Sequence, residues 1–137
     1  MRDFLIDTCA AIWMLADEPL QDGAESRISD ALDQGACLVA SPVSAWEVGM
    51  LVARGRLTLP FSPLDWYAQL CGLPNITQAR LTPKVLIDSS FLPGDPPRDP
   101  MDRMMISLAR AEGLNIITRD RKILDYAAKG HVLALAC

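Results

Sequence analysis

The 137-residue chain has one histidine, His131, and its four cysteines, Cys9, Cys37, Cys71 and Cys137, form no C-x-x-C pair. A zinc site draws on closely spaced cysteines and histidines, so this chain is poorly equipped for one. Histidine-based acid–base and nucleophilic mechanisms lose their main residue too, because His131 falls inside a closing strand-like run at 131–135 and reads as structural. The scattered cysteines, three of them in apolar contexts, read as buried free thiols in a reducing compartment. No apolar run reaches the roughly 20 residues that cross a bilayer. The start, Met1-Arg2-Asp3, enters a short apolar run without the longer core and small-residue cleavage site of a secretory leader. A soluble cytoplasmic protein is expected. Positive charge is also short. Thirteen Lys and Arg against 17 Asp and Glu leave a net charge of −4, whereas a free-standing nucleic-acid binder is usually basic. Such a role would need local cationic patches. Pooled carboxylates would produce the same balance.

What the chain does have is apolar residues, half of the total, enough for a sizeable core in one domain over residues 1–137. Short apolar strands are predicted at 2–6, 37–40 and 115–118, with 77–81 a strand or an extended link. Helical patterns cover 8–15, 24–34 and 44–54, with Gly35 and Gly55 just past two of the ends. Ser62-Pro63 and Thr82-Pro83 each open a helix with a cap and a first-turn proline, the first closed by Gly72 and the second running to about residue 91. The stretch "LPGDPPRDP", 92–100, is the clearest loop. Asp99-Pro100 then opens a helix to Glu112, and 120–128 is helical. No repeat, low-complexity segment or linker interrupts the series. Strands alternating with helices predict an α/β domain around a parallel sheet, whose ligands bind beyond the carboxyl ends of the strands.

Four acids fall at such positions. Asp7 interrupts "FLIDTCAAIW" at the end of the first strand. Glu47 lies in "SPVSAWEVGMLVARGRL", Asp102 in "RDPMDRMMISLA" and Asp120 in "NIITRDRKILDY". Each has a simpler reading. Ser44-x-x-Glu47 fits a capping box. Asp99 caps a helix whose positive end Asp102 favours. Asp7 and Asp120 can cap the helices that follow them. The joint pattern points further. Two like charges 4 Å apart repel by about 4 kcal/mol at an effective dielectric near 20, so a rim of carboxylates calls for a cation. Oxygen-only ligands suit Mg²⁺ or Mn²⁺. Such an ion keeps waters, one of which can be activated, and it stabilises charge on a phosphate. Spacing alone does not bring the four acids together.

The segments "LIDTCAAIW", "SAWEVGMLVARGRL", "LPGDPPRDPMDRMMISLA" and "IITRDRKILDY", in this order, resemble the PIN domain, and within it the VapC-type toxin ribonucleases, over nearly the whole chain. The resemblance implies a three-layer α/β/α sandwich with a central parallel sheet. It implies that Asp7, Glu47, Asp102 and Asp120 form one acidic pocket for Mg²⁺ or Mn²⁺ that cuts RNA. It also implies a homodimer held inactive by a cognate antitoxin, with DNA contacted only through that antitoxin. Asp99, Thr8 and Thr118 are supporting candidates, each with a local hydrogen bond as the plainer role. One departure stands out. The family's small residues after the D-R pair are here replaced by Ile106-Ser107-Leu108, which bears on packing and leaves the acids intact.

RNA binding needs positive charge near the pocket. Arg54, Arg56, Arg103, Arg119, Arg121 and Lys122 lie close to the motifs, with a solvated face as the alternative for each. Arg103 stands first, either on RNA or in a salt bridge to the pocket acids. Trp13, Trp46 and Trp66 can stack on bases, although their apolar neighbours favour core or interface packing. Two other classes remain. An aspartyl-phosphate enzyme normally has a second acid two residues after the first, where this chain has Cys9. A PIN-like module that binds a partner without cutting is the other.

Overall fold

The computed structural model describes residues 2–20 and 22–137. The order is β1 (Phe4–Ile6), α1 (Thr8–Leu15), α2 (Asp22–Asp33), β2 (Leu38–Ala40), α3 (Pro42–Ala53), α4 (Pro63–Cys71), β3 (Ile76–Gln78), α5 (Pro83–Asp88), α6 (Pro100–Glu112), β4 (Asn115–Thr118), α7 (Arg121–Ala128) and β5 (Leu133–Ala136). The five strands form one sheet in the order β3-β2-β1-β4-β5, and every pairing is parallel.

Side chains alternate across the sheet, as the strand period of two requires. Phe4, Ile6, Leu38, Ala40 and Ile117 join a core with Trp66 and Leu70 of α4. Leu5 and Ile116 face the other way, onto Met105, Ile106 and Leu108 of α6 and Ile123 and Tyr126 of α7. Helices therefore cover both faces, which is the predicted α/β/α sandwich. Ile106 and Leu108, the bulky residues after the D-R pair, are fully buried. Ser107 between them donates to the Val85 carbonyl at 2.6 Å and so ties α6 to α5.

The topology positions the rim. From β1 the chain steps outward to β2 and β3, then returns to lay β4 on the opposite side of β1. The strand order thus reverses between β1 and β4, and a crevice opens beyond their carboxyl ends. Ile6 is level with Ile117, so Asp7 and Thr118 leave the sheet side by side.

Several expectations shift. α3 starts at Pro42 with Ser41 as its cap, earlier than the predicted residue 44. The last strand starts at Leu133, and His131 sits in the turn before it, stacked on Tyr126 with ring centroids 4.7 Å apart. Of the four free cysteines only Cys137 is buried, while Cys9 is exposed and Cys37 and Cys71 are half-buried. Apolar sequence neighbours misled there, because these helices and strands are short and a one-residue rotation turns a side chain outward. Among the described residues no helix is long and apolar enough to cross a membrane.

Candidate active site

Asp7 is the buried acid of the crevice, 8 % exposed. It caps α1, with Oδ1 accepting the Thr8 N–H at 2.6 Å, and Oδ2 accepts the Thr118 hydroxyl at 2.5 Å. A carboxylate offers about four lone-pair sites, so each oxygen keeps one for another ligand. Burial raises its pKa, the Thr118 and Thr8 bonds pull it back, and the charges of Asp120 and Asp99 push it up again. The helix cap and the candidate site acid are thus the same residue.

Asp120 caps α7, accepting the N–H groups of Lys122 at 2.8 Å and Ile123 at 3.2 Å. Its own N–H donates to the Thr118 hydroxyl oxygen at 2.9 Å. Asp99 caps α6 through the Met101 N–H at 2.8 Å, which places Asp102 in the first turn of that helix. The Asp102 carboxyl is pushed up to about 7 by burial and then by Asp120, Asp99, Asp7 and Glu47.

Glu47 is not part of a capping box. Ser41, not Ser44, caps α3 through the Val43 N–H at 3.1 Å, and Glu47 falls in the second turn. The capping explanation for this acid therefore lapses. Its pKa is raised by burial, lowered by the Thr8 hydroxyl, and raised by Asp7, Asp99 and Asp120. Ser44 instead is buried and shares a 3.0 Å hydrogen bond with the Thr8 hydroxyl, which locks α3 to α1. The sequence reading overlooked Ser41 and misassigned Ser44 as the cap. Ser41-Pro42 carries the same cap-and-proline signal as Ser62-Pro63 and could have exposed the error.

The mutual influence of Asp7, Glu47, Asp99, Asp102 and Asp120 brings the predicted acids into one electrostatic neighbourhood. Among the described residues no basic side chain forms an ion pair with them. The only ion pair among the described residues is Lys84–Asp88, on α5. Arg103 donates Nε to the Pro97 carbonyl at 2.6 Å, so it braces the loop before α6, and the predicted salt bridge to the acids is absent among the described residues. Cys9, where an aspartyl-phosphate enzyme would have its second acid, has its thiol pushed up to about 11 by partial burial and by Asp7, Glu47 and Asp120. It is protonated near neutral pH and offers no nucleophile.

Among the described residues no three acidic, histidine or cysteine side chains close on a single point. The donor set still fits a hard cation. All its ligand atoms are oxygens, its charges are uncompensated, and Mg²⁺ is commonly held by one or two carboxylates with waters and substrate phosphate completing its shell. The tryptophans separate. Trp66 is core at 2 % exposure, Trp46 beside Glu47 is 52 % exposed, and Trp13 lies under Arg119. Arg54, Arg56 and Arg121 are exposed, as is Lys122.

Comparisons with known proteins bear on the family and the fold. Ribonuclease VapC22 of Mycobacterium tuberculosis is 28% identical over 126 residues, covering 92% of this chain and 93% of that protein. The fold matches the DNA-bound VapBC of Salmonella typhimurium with a TM-score of 0.66 at 17% identity, covering 99% and 98% of the two chains. VapBC2 of Rickettsia felis, bound to a promoter fragment, matches at 0.64 and 12% identity over 97% of each chain. Residues 4–129 match the PIN domain, and it is to the PIN domain family that this chain belongs.

Proposed function

We propose that residues 1–137 form a single PIN domain that acts as a Mg²⁺- or Mn²⁺-dependent endoribonuclease, the toxin of a VapBC-type toxin–antitoxin pair. The observation that carries this reading is the uncompensated set of Asp7, Glu47, Asp102 and Asp120 at the β1–β4 switch point, with Asp102 raised to about 7. The likeness to a ribonuclease over almost the full chain supports the reaction class. The VapBC likenesses support an antitoxin partner. DNA would then be reached only through that antitoxin, and the toxin would work as a homodimer in the cytoplasm.

In this reading Asp7 and Asp102 are the principal cation ligands, joined by Glu47 and Asp120. A bound divalent ion would supply charge neutralisation on the phosphate and a more acidic water. The chain supplies orientation. Thr118 and the Thr8 N–H hold the Asp7 carboxylate in one rotamer, and Asp99 sets the start of α6, whose first turn carries Asp102. Ser44 and Thr8 fix the two helices that carry Glu47 and Asp7. Placement of this kind limits the reorganisation needed when phosphate arrives.

The test is cleavage of total RNA by purified, antitoxin-free protein, with Mg²⁺ or Mn²⁺, with EDTA, and with Asp7→Asn. Discrete fragments that need the metal and vanish in the variant are expected. A folded protein that cuts no RNA pool in either metal would sink the enzyme reading in favour of a partner-binding module.

A further inference from the structure

Arg119 leaves β4 between Thr118 and Asp120, yet it pairs with neither the acids nor the crevice backbone. Its guanidinium carbon lies 3.4 Å from the centroid of the Trp13 ring. Its Nε donates to the main-chain carbonyl of Cys137 at 2.8 Å. That is its one hydrogen bond among the described residues, and it makes no ion pair there. Among the described residues the two terminal nitrogens of this exposed side chain make no further hydrogen bond or ion pair that meets ordinary geometry, and the guanidinium lies close enough to the Cys137 thiol to lower its pKa.

An arginine next to uncompensated carboxylates would ordinarily fold onto them. Here the ring face and the Cys137 carbonyl hold it away. Stacking uses the flat face of the guanidinium and leaves the donors on its edge free. Those donors form a fork that matches two oxygens of a phosphate. A side chain already held in place gives up less of its roughly 2 kcal/mol of rotamer entropy on binding. The site also lies on the rim. Trp13 belongs to α1, the helix that Asp7 caps, and Arg119 precedes Asp120. The Cys137 thiol is raised by burial, lowered by Arg119 and raised by Asp7, so guanidinium and acid act on one sulfur.

We propose that Arg119 binds a backbone phosphate of the RNA beside the scissile one, with Trp13 as the platform that keeps it off the acids. This rests on the ribonuclease reading. It gives the rim a fixed positive charge outside the acid cluster, which an acidic protein needs in order to hold a polyanion.

The experiment measures binding of a labelled single-stranded RNA of mixed sequence, about 16 nucleotides long, in Mg²⁺ across a salt series. Asp102→Asn protein is used so that the RNA stays whole, and cleavage by the wild type is the control. Arg119→Gln should weaken binding about tenfold at low salt, and it should reduce the slope of log affinity against log salt by about 0.7. Arg119→Lys should keep most of the slope but only part of the affinity. Trp13→Leu should keep the slope and weaken binding roughly two- to fivefold. An unchanged slope in Arg119→Gln, whatever happens to its affinity or melting temperature, overturns the proposal and leaves Arg119 as a cover for Trp13. If the wild type cuts RNA while that slope is unchanged, only this inference falls. A wild type that cuts no RNA removes the ribonuclease reading and this one with it.

Discussion

The Thr118 hydroxyl donates to Oδ2 of Asp7 at 2.5 Å, and its oxygen accepts the Asp120 N–H at 2.9 Å. One buried side chain thus fixes two acids that lie on neighbouring strand ends. Its burial is complete, at 0 % exposure, so water cannot take over either bond when it is removed.

Thr118→Val should therefore cost about 1–3 kcal/mol, because the change strands a buried carboxylate oxygen and a main-chain N–H. Cleavage should fall with it, as Asp7 loses its fixed orientation. Thr118→Ser, which keeps the hydroxyl, should recover most of both. Denaturant midpoints and cleavage rates of the two variants check this. A loss in Thr118→Ser with none in Thr118→Val would mean that the methyl group, not the hydroxyl, matters.

Metal-free protein should grow more stable as the solution is acidified. Asp102 stands at about 7 in the fold against 3.8 as an ordinary carboxyl. Between those values the folded chain keeps a proton that the unfolded chain has released. The group's stabilising contribution is therefore present at low pH and lost as pH rises through 7. Asp7 and Glu47 are raised as well and act with the same sign. Melting in EDTA should shift upward between about pH 8 and about pH 5, and saturating Mg²⁺ should flatten that trend, since cation and proton compete for the same oxygens. Asp102→Asn should melt higher than the wild type at pH 8 without metal, and cut nothing. A wild-type melting temperature that rises with pH in EDTA would contradict the charge arrangement.

Glu47 and Ser41 give opposite expectations. Ser41→Ala removes the cap of α3 and should cost about 1 kcal/mol. Glu47→Gln leaves every capping bond of α3 in place. Its melting temperature should hold or rise while cleavage drops. Thermal melts beside cleavage assays separate the two. A capping role for Glu47 would instead show as a loss of stability in Glu47→Gln.

Gly94 guards the loop that leads to Asp99 and Asp102. Its φ is +69°, and a Cβ there would sit 2.7 Å from Nε2 of His131. His131 in turn stacks on Tyr126, whose hydroxyl donates to the Pro93 carbonyl at 2.5 Å. Gly94→Ala meets both backbone strain and a clash, and should lose more than about 1 kcal/mol. Adding His131→Ala opens the space but leaves the backbone strained, so the double variant should recover only part of the loss. Full recovery in denaturant melts would assign the whole effect to the imidazole.

The sequence disclosed the alternation of strand and helix because the apolar runs are short and punctuated by Gly35, Gly55, Gly72 and Gly113. It also singled out the four candidate acids, two after strands that share one edge of a parallel sheet and two on the helices α3 and α6. Ser44 was misread because two serines three residues apart both suit a cap; the proline after Ser41 was the local signal that favoured the other one, and the contact of Ser44 with Thr8 could not be read locally. Arg103 and Arg119 were grouped as one kind of residue. Their sequence positions do not say that one grips the Pro97 carbonyl and the other lies on Trp13. His131 was placed in a strand because its apolar neighbours continue the pattern, whereas its stacking on Tyr126 depends on how α7 turns into β5. Apart from the α3 cap, what escaped was a side-chain contact set by the fold, for which local pattern carries little signal.

The pairing of β1 with β4 joins residues 111 positions apart. A ribosome making this protein releases Asp7 long before Thr118. Until then the first strand has no neighbour on that side, and contacts so distant along the chain are slow to form. A polypeptide cut short before residue 115 would carry Asp7, Glu47 and Asp102, yet it would lack both the strand that pairs with β1 and the hydroxyl that orients Asp7. Assembly of the proposed site is thereby tied to the arrival of β4, and synthesis interrupted before it leaves fragments without that site.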